Sequence, residues 1–529
     1  MKRHIIILLA LLPMLFTAKA ADIKVDSVGK LATLLPDSTR FTIAELKVSG
    51  PLNGQDLKLL QQIVTRTKTN KKNPDECLVT SVDLADAIIV EGKEGLKTKN
   101  GELPASLFAG AKNLQKVVLP VSITAIGKSC FEDCESLTDF TLPESLRTIE
   151  ANAFEDCKAL TTMVIPANVR ALEADVFKDC TSLTSVTLPE DLAIIGNEAF
   201  SGCEVLNNIV IPNVREIGNS AFKKCTALTN IQMDDVTKLG SSAFEDCTAI
   251  SEITLKNINK LGASVFEGCT ALTTVTLEGP IAELSNDAFK ECTSLSSITI
   301  PNSVKTLGNE VFYECKSLAA ITLPDGLTKI DAHAFEGCTM LKEMIIPNMV
   351  KTIGSSAFEN CTSLDSVVIN GFITEISSEL FRLCHSLRSI TIPNSVRKIG
   401  SKAFEECSML TDITLPPALT DINSDAFARC ASLTTINIPV AVKDIGSSAF
   451  EECVMLSAID LPSGLKRIGS SAFAKCASLK TVTLNSPAPP SISKSTFKGA
   501  YPTFFVPRGS INVYMTHKDW KNVTGFKEK

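Results

Sequence analysis

The sequence predicts a right-handed α/β solenoid of about 18 rungs of 22–24 residues, with a parallel sheet on one face, short helical turns and a cap at each end. The first observation is a fixed spacing. Eighteen phenylalanines recur every 22–24 residues from Phe108 to Phe497, and sixteen of them have a cysteine three positions later. The second is that a unit of this length cannot bury its own apolar face, so neighbouring units must stack to form a core. Stacking also creates a long surface, which favours a binding scaffold over a reaction centre.

One unit, residues 387–407, shows how each rung is predicted to begin. Leu387, Ile390 and Ile392 lie on one side of an extended strand, and the last three residues of this strand alternate with period two. Parallel stacking of such strands gives a long sheet. A proline follows in most units and ends the strand, because proline has no backbone N–H to donate.

The second half of the unit is predicted to bend and then turn. A short extended piece carries an apolar pair such as Val396 and Ile399. Gly400 comes next, with Asp331 or Asn423 in other units, and these residue types indicate a tight bend at positive φ. Ser, Asn or Asp then precedes an alanine–phenylalanine pair, which is typical of an N-cap ahead of one short helical turn. The phenylalanines are predicted to point inward and to form an aromatic column.

Residues 1–20 are predicted to be a secretory signal peptide. A basic start is followed by an apolar run over residues 5–16 and then by small residues, so cleavage is expected between Ala20 and Ala21. An uncleaved anchor is the alternative, although the run is short for a bilayer span. No later segment reaches 18 apolar residues. The mature chain is therefore expected to have no transmembrane segment and to be secreted or associated with the cell surface.

Three segments are predicted after the signal peptide. Residues 21–103 form an N-terminal capping region of divergent repeats, residues 104–485 the repeat array and residues 486–529 a C-terminal cap. Within the first segment, strand-like pieces over 41–48 and 78–90 flank helical spacing over 55–64. In the last segment, a final strand and a short helix are expected to cover the end of the stack.

The charge of the chain argues against nucleic-acid binding. The formal net charge is −7, and removal of Lys2, Arg3 and Lys19 with the signal peptide makes it −10. A phosphate backbone selects clustered lysine and arginine instead. The single basic cluster, residues 66–72, lies beside Asn and Pro and is interpreted as a solvated loop.

Sixteen of the 18 cysteines occupy a single repeat position, three residues after phenylalanine. Ala111 and Ala500 take this position in the two remaining units, which indicates a small apolar slot. We therefore expect buried free thiols, with disulfides between neighbouring rungs as the alternative, since rungs lie about 5 Å apart. Cys130 is interpreted as a packing residue, and Cys77 lies outside the pattern.

The repeat resembles that of the BspA-type leucine-rich-repeat proteins of bacterial surfaces. The matching pattern is I-P-x-S-V-x-x-I-G-x-x-A-F-x-x-C-x-x-L-x-x-I, almost whole from Ile392 to Ile413. The resemblance covers roughly residues 104–485, and Val-Pro-Arg-Gly-Ser at 506–510 is similar to a closing segment of the family. It implies a leucine-rich-repeat solenoid that is exported, with some members adhering to host matrix proteins or other bacteria. No shared set of ligand-binding residues accompanies it, so it implies no site residue.

No catalytic, metal or cofactor site is predicted. The mature chain has three histidines: His333, His385 and His517. None forms a His-x-x-x-His pair, and there is no Gly-x-Ser-x-Gly elbow or phosphate loop. Cys384 and His385 pair a thiol with a base, but adjacent residues on a short turn point apart. Acidic pairs after phenylalanine, such as Glu405 and Glu406, are interpreted as solvated. We predict a protein that is not an enzyme, with a hydrolase of unrecognised site as an alternative.

The binding hypothesis rests on one row of hydroxyls. Nine of seventeen units place threonine between the last two apolar positions of the strand: Thr141, Thr187, Thr254, Thr276, Thr299, Thr322, Thr391, Thr414 and Thr483. One interpretation is structural, because threonine suits a half-exposed parallel strand. The other is contact with an extended partner through many weak interactions, because tryptophan and tyrosine are missing from the row.

We therefore predict an exported monomeric scaffold, either a surface adhesin or an interaction module, that contacts host matrix proteins or bacterial surface proteins. A structural spacer without a specific ligand is the alternative. Asp234 and Lys256, which replace the usual proline, and residues 370–372 break the pattern. These breaks indicate either loops that carry function or drift among repeats.

Overall fold

A computed structural model describes residues 19–65, 79–229 and 231–529. The chain is a β-solenoid of parallel strands with about 22 turns and few helices, which confirms the predicted fold class and adds a few turns to the predicted number. It divides into two compact units: unit 1 is Met1–Val169 with Asp179–Leu183, and unit 2 is Arg170–Lys178 with Thr184–Lys529. Residues 1–18 of the predicted signal peptide, the basic cluster 66–72 and Cys77 lie outside the described residues.

Unit 1 contains short helices and parallel strands. Its helices are α1 (Leu31–Leu34), α2 (Asp37–Arg40) and α3 (Gly54–Thr65). Its strands are β1 (Lys19–Lys24), β2 (Ile43–Leu52), β3 (Ser81–Asp83), β4 (Ala87–Ile89), β5 (Glu102–Leu103), β6 (Lys116–Val118), β7 (Ala125–Ile126), β8 (Asp139–Phe140), β9 (Thr148–Ile149) and β10 (Thr162–Val164). One sheet has the order β1-β2-β3-β6-β8, with β4 also beside β2, and another has the order β5-β7-β9. The strand pieces and the helix expected before residue 103 are present as β2, α3, β3 and β4, whereas β1, α1 and α2 were not predicted.

Almost all of the regular elements of unit 2 are short strands, which are joined by turns. They are β11 (Ala171–Leu172), β12 (Ser185–Thr187), β13 (Ile194–Ile195), β14 (Asn208–Ile209), β15 (Glu216–Ile217), β16 (Lys238–Leu239), β17 (Glu252–Leu255), β18 (Thr274–Leu277), β19 (Glu283–Leu284), β20 (Ser297–Thr299), β21 (Thr306–Leu307), β22 (Lys329–Ile330), β23 (Glu343–Ile346), β24 (Thr352–Ile353), β25 (Ser366–Ile369), β26 (Glu375–Ile376), β27 (Ser389–Thr391), β28 (Lys398–Ile399), β29 (Asp421–Ile422), β30 (Asp444–Ile445), β31 (Ala458–Leu461), β32 (Arg467–Ile468), β33 (Thr481–Leu484), β34 (Thr503–Val506) and β35 (Phe526–Glu528). One helix, α4 (Ile511–Thr516), lies between the last two strands.

Most rungs of unit 2 supply a first strand, such as β27, and a second strand, such as β28. Within this unit the first strands form the sheets β12-β14, β17-β18-β20, β23-β25-β27 and β31-β33-β34-β35. The second strands form the sheets β11-β13-β15-β16, β19-β21-β22-β24 and β26-β28-β29-β30-β32. Equivalent residues of successive rungs lie side by side in parallel register. We call the surface formed by the first strands the strand face.

The predicted aromatic column is present. In unit 2 the rings from Phe177 to Phe497 stack with centroids 5.1–5.7 Å apart. In unit 1, Phe108, Phe131 and Phe154 stack at 5.1 and 5.2 Å. Every ring except the half-buried Phe497 is fully buried. Each of these side chains contributes on the order of 1.5–3 kcal/mol through burial alone, so the column is a major part of the core.

The described cysteines are free and buried, as expected. Each of the sixteen periodic thiols donates to the carbonyl oxygen of the phenylalanine in the preceding rung, with Sγ···O distances of 3.0–3.3 Å. Burial raises the pKa of fourteen of these thiols, to about 12 for Cys134 and Cys476. Cysteine is therefore more than a small apolar filler, because its thiol also joins neighbouring rungs.

The segment around each phenylalanine forms successive turns and not an α-helix. In one rung, Lys402 and Glu406 have φ of 56° and 63°, and equivalent pairs recur along the chain. Their N–H groups donate to Ser424 and Ala428 of the next rung, each at 2.9 Å. The N-cap prediction is wrong here, because the residue expected to cap a helix adopts the left-handed conformation. This conformation costs about 1–2 kcal/mol for a residue with a Cβ, and the bonds between rungs offset that cost.

The prediction of positive φ at Gly400, Asp331 and Asn423 is also wrong. Gly400 is needed for close approach instead. A Cβ at this position would lie 2.5 Å from the nitrogen of Ser378 and 2.6 Å from the carbonyl carbon of Ser377, both in the preceding rung. Contacts this short are not tolerated, so glycine here allows the two backbones to approach each other.

A strand and a helix at the C-terminal end of unit 2 match those expected, as β34 and α4, and β35 adds a strand that was not predicted. Trp520 and Tyr514 are fully buried there. The indole Nε1–H of Trp520 donates to the Pro490 carbonyl at 2.7 Å, and the Tyr514 hydroxyl donates to the Ser486 carbonyl at 2.8 Å. The last rung thus ends on large aromatic side chains whose polar atoms are paired.

Candidate functional site

The predicted threonine row lies on the outer side of the first strands. Seven of its members are exposed, and Thr276 and Thr483 are half-buried. Thr141 belongs to unit 1 and the other eight to unit 2. Thr141, Thr322 and Thr414 lie outside the assigned strands, and the other six lie within strands.

Only part of the row is brought together by strand pairing. Thr254 lies opposite Thr276, and Thr276 lies opposite Thr299, in the sheet β17-β18-β20. Thr391 lies opposite Val368, and Thr483 lies opposite Asp460. The sequence therefore predicted the exposure of the row, but strand pairing gives one continuous run of three hydroxyls. Its role in binding stays a prediction.

The sheet of first strands in unit 2 is interrupted at three places: between β14 and β17, between β20 and β23, and between β27 and β31. Residues 320–323 lie at the second of these. The backbone groups of residues 320–323 make no main-chain hydrogen bond to any other described residue. A cleft of about 500 Å³ opens beside Ser297–Thr299, and a second cleft of about 670 Å³ opens on the side of β23. Thr322 lines both, and Thr299 lines the first. We call the second cleft the 320–346 cleft.

Acidic and apolar side chains line the 320–346 cleft together. Asp325 and Glu343 contribute carboxylates, and Ile345 and Met349 contribute apolar side chains that are 63% and 53% exposed. None of these residues was predicted to belong to a site. Residues 319–324, Ala-Ala-Ile-Thr-Leu-Pro, match the ordinary repeat, so no local sequence signal marks the interrupted strand.

The two breaks in the repeat pattern, at Asp234 and Lys256 and at residues 370–372, differ in their structural environment. Asp234 and Lys256 form an exposed ion pair at 3.1 Å between neighbouring rungs, which explains the change in chemistry without a ligand. Phe372 is 74% exposed, and its N–H donates to the carbonyl of Val350 at 2.9 Å. Phe372 does not itself line the 320–346 cleft, but Asn370 of the same turn does.

The three described histidines make contacts within the fold. The Nδ1–H of His385 donates to the carbonyl of Glu406 at 3.0 Å, while the adjacent Cys384 is buried with a raised pKa. His333 pairs with Glu336 at 2.5 Å on the surface, and His517 lies 4.0 Å from Asp519. Within residues 19–65, 79–229 and 231–529, no group of three or more His, Cys, Asp or Glu side chains could hold a metal ion.

One acidic residue interpreted as solvated is buried instead. Glu405 is 7% exposed and accepts from Arg382 at 3.1 Å and from Arg429 at 2.8 Å, while its neighbour Glu406 is half-buried. The correction has a physical reason, because a carboxylate with little access to water needs a cationic partner. These residues bind rungs to one another, and they form no open site.

Comparison with known proteins identifies the family. Residues 101–213, 171–295, 282–411 and 374–502 match the family model described as the BspA type leucine rich repeat region (6 copies). Together the matches span more than half of the chain, so the chain belongs to the BspA-type leucine-rich-repeat family. Repeat scaffolds of this kind serve protein interaction. No functionally curated protein matches the sequence.

Several solved structures are similar. A leucine-rich repeat protein from Bacteroides ovatus ATCC 8483 is 27% identical with a TM-score of 0.51, over 77% of this chain and 88% of that one. A leucine rich cell surface protein from Faecalibacterium prausnitzii A2-165 is 24% identical with a TM-score of 0.35, over 61% and 86%. The pneumococcal vaccine antigen PcpA is 17% identical with a TM-score of 0.38, over 72% and 92%. In the part of the chain that is described, no helix is both long and apolar enough to cross a membrane.

Proposed function

We propose that this protein is an exported scaffold that binds other proteins through its strand face, acting as an adhesin for host matrix proteins or for the surface proteins of other bacteria. Family membership supports a role in protein interaction. Among the observations on this chain, the paired and solvent-facing threonines of β17, β18 and β20 carry the proposal. They offer hydroxyl donors and acceptors at the strand spacing of about 4.8 Å, which suits an extended partner.

Contacts of this kind are weak individually. A hydroxyl hydrogen bond contributes about 0.5–1.5 kcal/mol net, and the row lacks the tryptophan and tyrosine that dominate interface energetics. Affinity must then come from many contacts along the surface. We expect binding that depends on avidity and is lost gradually as the surface is interrupted.

The test is binding of the purified chain to immobilised collagen, laminin and fibronectin and to whole bacterial cells, with Thr254→Arg as the disrupting variant. Thr254 is exposed on β17, so an arginine there blocks the face without entering the core. Thr270→Arg is the matched control, because Thr270 is equally exposed but follows Cys269 in the turn segment. Saturable binding that is reduced at least several-fold by Thr254→Arg alone supports the proposal.

Two results would count against it. No saturable binding to any of these surfaces would favour a structural spacer. Binding that both variants reduce equally, or that neither reduces, would place the contact away from the strand face. Export is tested by N-terminal sequencing of protein recovered outside the cells, where a start at Ala21 is expected.

A further inference from the structure

We propose that the 320–346 cleft binds an extended peptide segment of a partner protein that carries a basic and an apolar side chain two residues apart. This inference rests on the proposed function, and it names the part of the strand face and the chemistry of the segment that it recognises. Three independent features of the cleft support it.

The first feature is unused main-chain hydrogen-bonding capacity. In the regular sheet, strands such as β17 and β18 pair along their full length. Residues 320–323 run between β20 and β23, yet their N–H and C=O groups have no main-chain partner among the described residues. Backbone groups of this kind are strong and directional donors and acceptors, and polar groups of a bound peptide can satisfy them.

The second feature is charge. Asp325 and Glu343 both line the cleft, and no lysine, arginine or histidine lines it with them. Neither carboxylate takes part in an ion pair with another residue of the described chain. This contrasts with the turn segments, where Glu405 is held by two arginines. The cleft is therefore complementary to a lysine or arginine side chain, and it disfavours an acidic segment or a phosphate backbone.

The third feature is an apolar patch beside the carboxylates. Ile345 and Met349 line the cleft, and Phe372 lies one rung further on, with all three side chains more than half exposed. Elsewhere on the strand face of unit 2, this strand position most often holds threonine. Grouped exposed apolar side chains beside polar ones are typical of a surface that binds another protein.

The spacing of these groups fixes the pattern of the partner. Glu343 and Ile345 are two residues apart on β23, so both side chains point to the same face, about 7 Å apart. An extended peptide that lies on the strand face along β23 places its own residues i and i+2 over them. A basic residue over Glu343 and an aliphatic residue over Ile345 make one ionic and one apolar contact.

The experiment uses the full chain and three fluorescein-labelled synthetic octapeptides. The first is Lys-Ser-Val-Ser repeated twice, which places lysine and valine alternately on one face. The second replaces lysine with glutamate, and the third replaces valine with serine. Binding is measured by fluorescence anisotropy at about 50 mM and 300 mM salt, because exposed charge pairs weaken as salt is added.

The protein variants are Glu343→Gln, Ile345→Ser and the control Glu252→Gln. Glu252 is an exposed glutamate that begins β17 as Glu343 begins β23, but it does not line the cleft. We expect the lysine–valine peptide to bind with saturation and the glutamate peptide not to bind. Glu343→Gln and Ile345→Ser should each weaken binding of the lysine–valine peptide at least fivefold, and Glu252→Gln should leave its affinity unchanged. Circular dichroism of each variant confirms that the fold is retained.

Other outcomes overturn the proposal. Binding that Glu252→Gln weakens as much as Glu343→Gln would show general attraction to an acidic protein. No saturation up to millimolar peptide would show that the cleft takes no such segment. If matrix or cell binding persists and still depends on Thr254 while the peptide fails, the cleft proposal fails alone. If that binding is also missing, both proposals fail.

Discussion

In the N-terminal region, residues 19–65 and 79–103, a single carboxylate holds separate segments together, whereas in the rungs of unit 2 the same few contacts recur in every turn. Asp56 is 1% exposed and accepts from the N–H groups of Gly29, Leu31 and Asn53 at 2.7, 3.0 and 3.1 Å. In unit 2 the corresponding roles are shared by a column of rings and a column of thiols. The difference teaches that periodic structure distributes its stability, while a divergent end concentrates it in single residues.

The largest expected effect that separates the two regions is alkaline unfolding. Above about pH 9 the thiols of the unfolded chain ionise, whereas the buried thiols stay protonated because their folded pKa is raised, to about 12 for Cys476. The unfolded state then binds fewer protons than the folded state, so stability falls as pH rises, by about 1.4 kcal/mol per pH unit for each such thiol. Three such thiols together lower the free energy of unfolding by about 4 kcal/mol per pH unit.

The N-terminal region has no buried thiol among its described residues, so it should keep its structure to higher pH than the rungs do. Circular dichroism between pH 7 and 11, with proteolysis and mass spectrometry to identify the segment that opens first, measures this. A variant with Cys338, Cys361 and Cys384 replaced by alanine is the control, and its stability should depend less steeply on pH. An unchanged slope would contradict the thiol explanation.

The second effect comes from the aromatic column. Phe335→Ala removes a fully buried ring that stacks on both neighbours, at 5.3 and 5.2 Å, and should lower the free energy of unfolding by about 3–5 kcal/mol. Phe497→Ala, at the half-buried end of the column, is the matched comparison and should cost less. Denaturant titration followed by circular dichroism measures both. Equal losses would show that burial of the ring does not set its contribution.

The third effect is specific to the N-terminal region. Asp56→Ala leaves three backbone donors without their acceptor and should cost about 3 kcal/mol. Hydrogen exchange should rise around Gly29 and Leu31, and exchange in the rungs of unit 2 should not change. Asp37→Ala is the control, because the carboxylate of Asp37 is largely exposed and pairs only with nearby Arg40. If the exchange increase spreads through all rungs, stability in this region is not local.

The smallest effect tests the close approach of rungs. Gly400→Ala places a Cβ within 2.6 Å of the backbone of Ser377 and Ser378 and should cost about 2 kcal/mol through local displacement. Gly464→Ala is the control, since its Cβ would come no closer than 3.7 Å to the carbonyl oxygen of Val440. Thermal unfolding of the two variants gives the comparison, and similar shifts in Tm would rule out the steric explanation.

The repeating part of the fold could be predicted because the same residue pattern recurs in each rung. The spacing of phenylalanine and cysteine predicts a parallel stack of rungs, the aromatic column and the free thiols. The two errors in this part, the N-cap and the positive φ at Gly400, share a cause. Both positions are determined by contacts with a neighbouring rung, and a rule for local sequence does not contain these contacts.

The candidate site was predictable only in part. Exposure of the threonines follows from alternation along a strand, so it was visible in the sequence. The interruption of the sheet at residues 320–323 was not, because those residues have the same composition as the strands that pair. The change at Asn370-Gly371-Phe372 was a usable signal, and it lies beside the cleft.

The bonds between rungs have a consequence for how such a protein changes over generations. Most turn segments donate from the same two backbone positions to the turn that follows, so one rung can replace another as a neighbour. Recombination between repeats can then insert or delete a whole rung and leave the donors and acceptors matched. Each added copy would lengthen the stack by about 4.8 Å. The area of the exposed surface can therefore vary between related strains with the number of rungs.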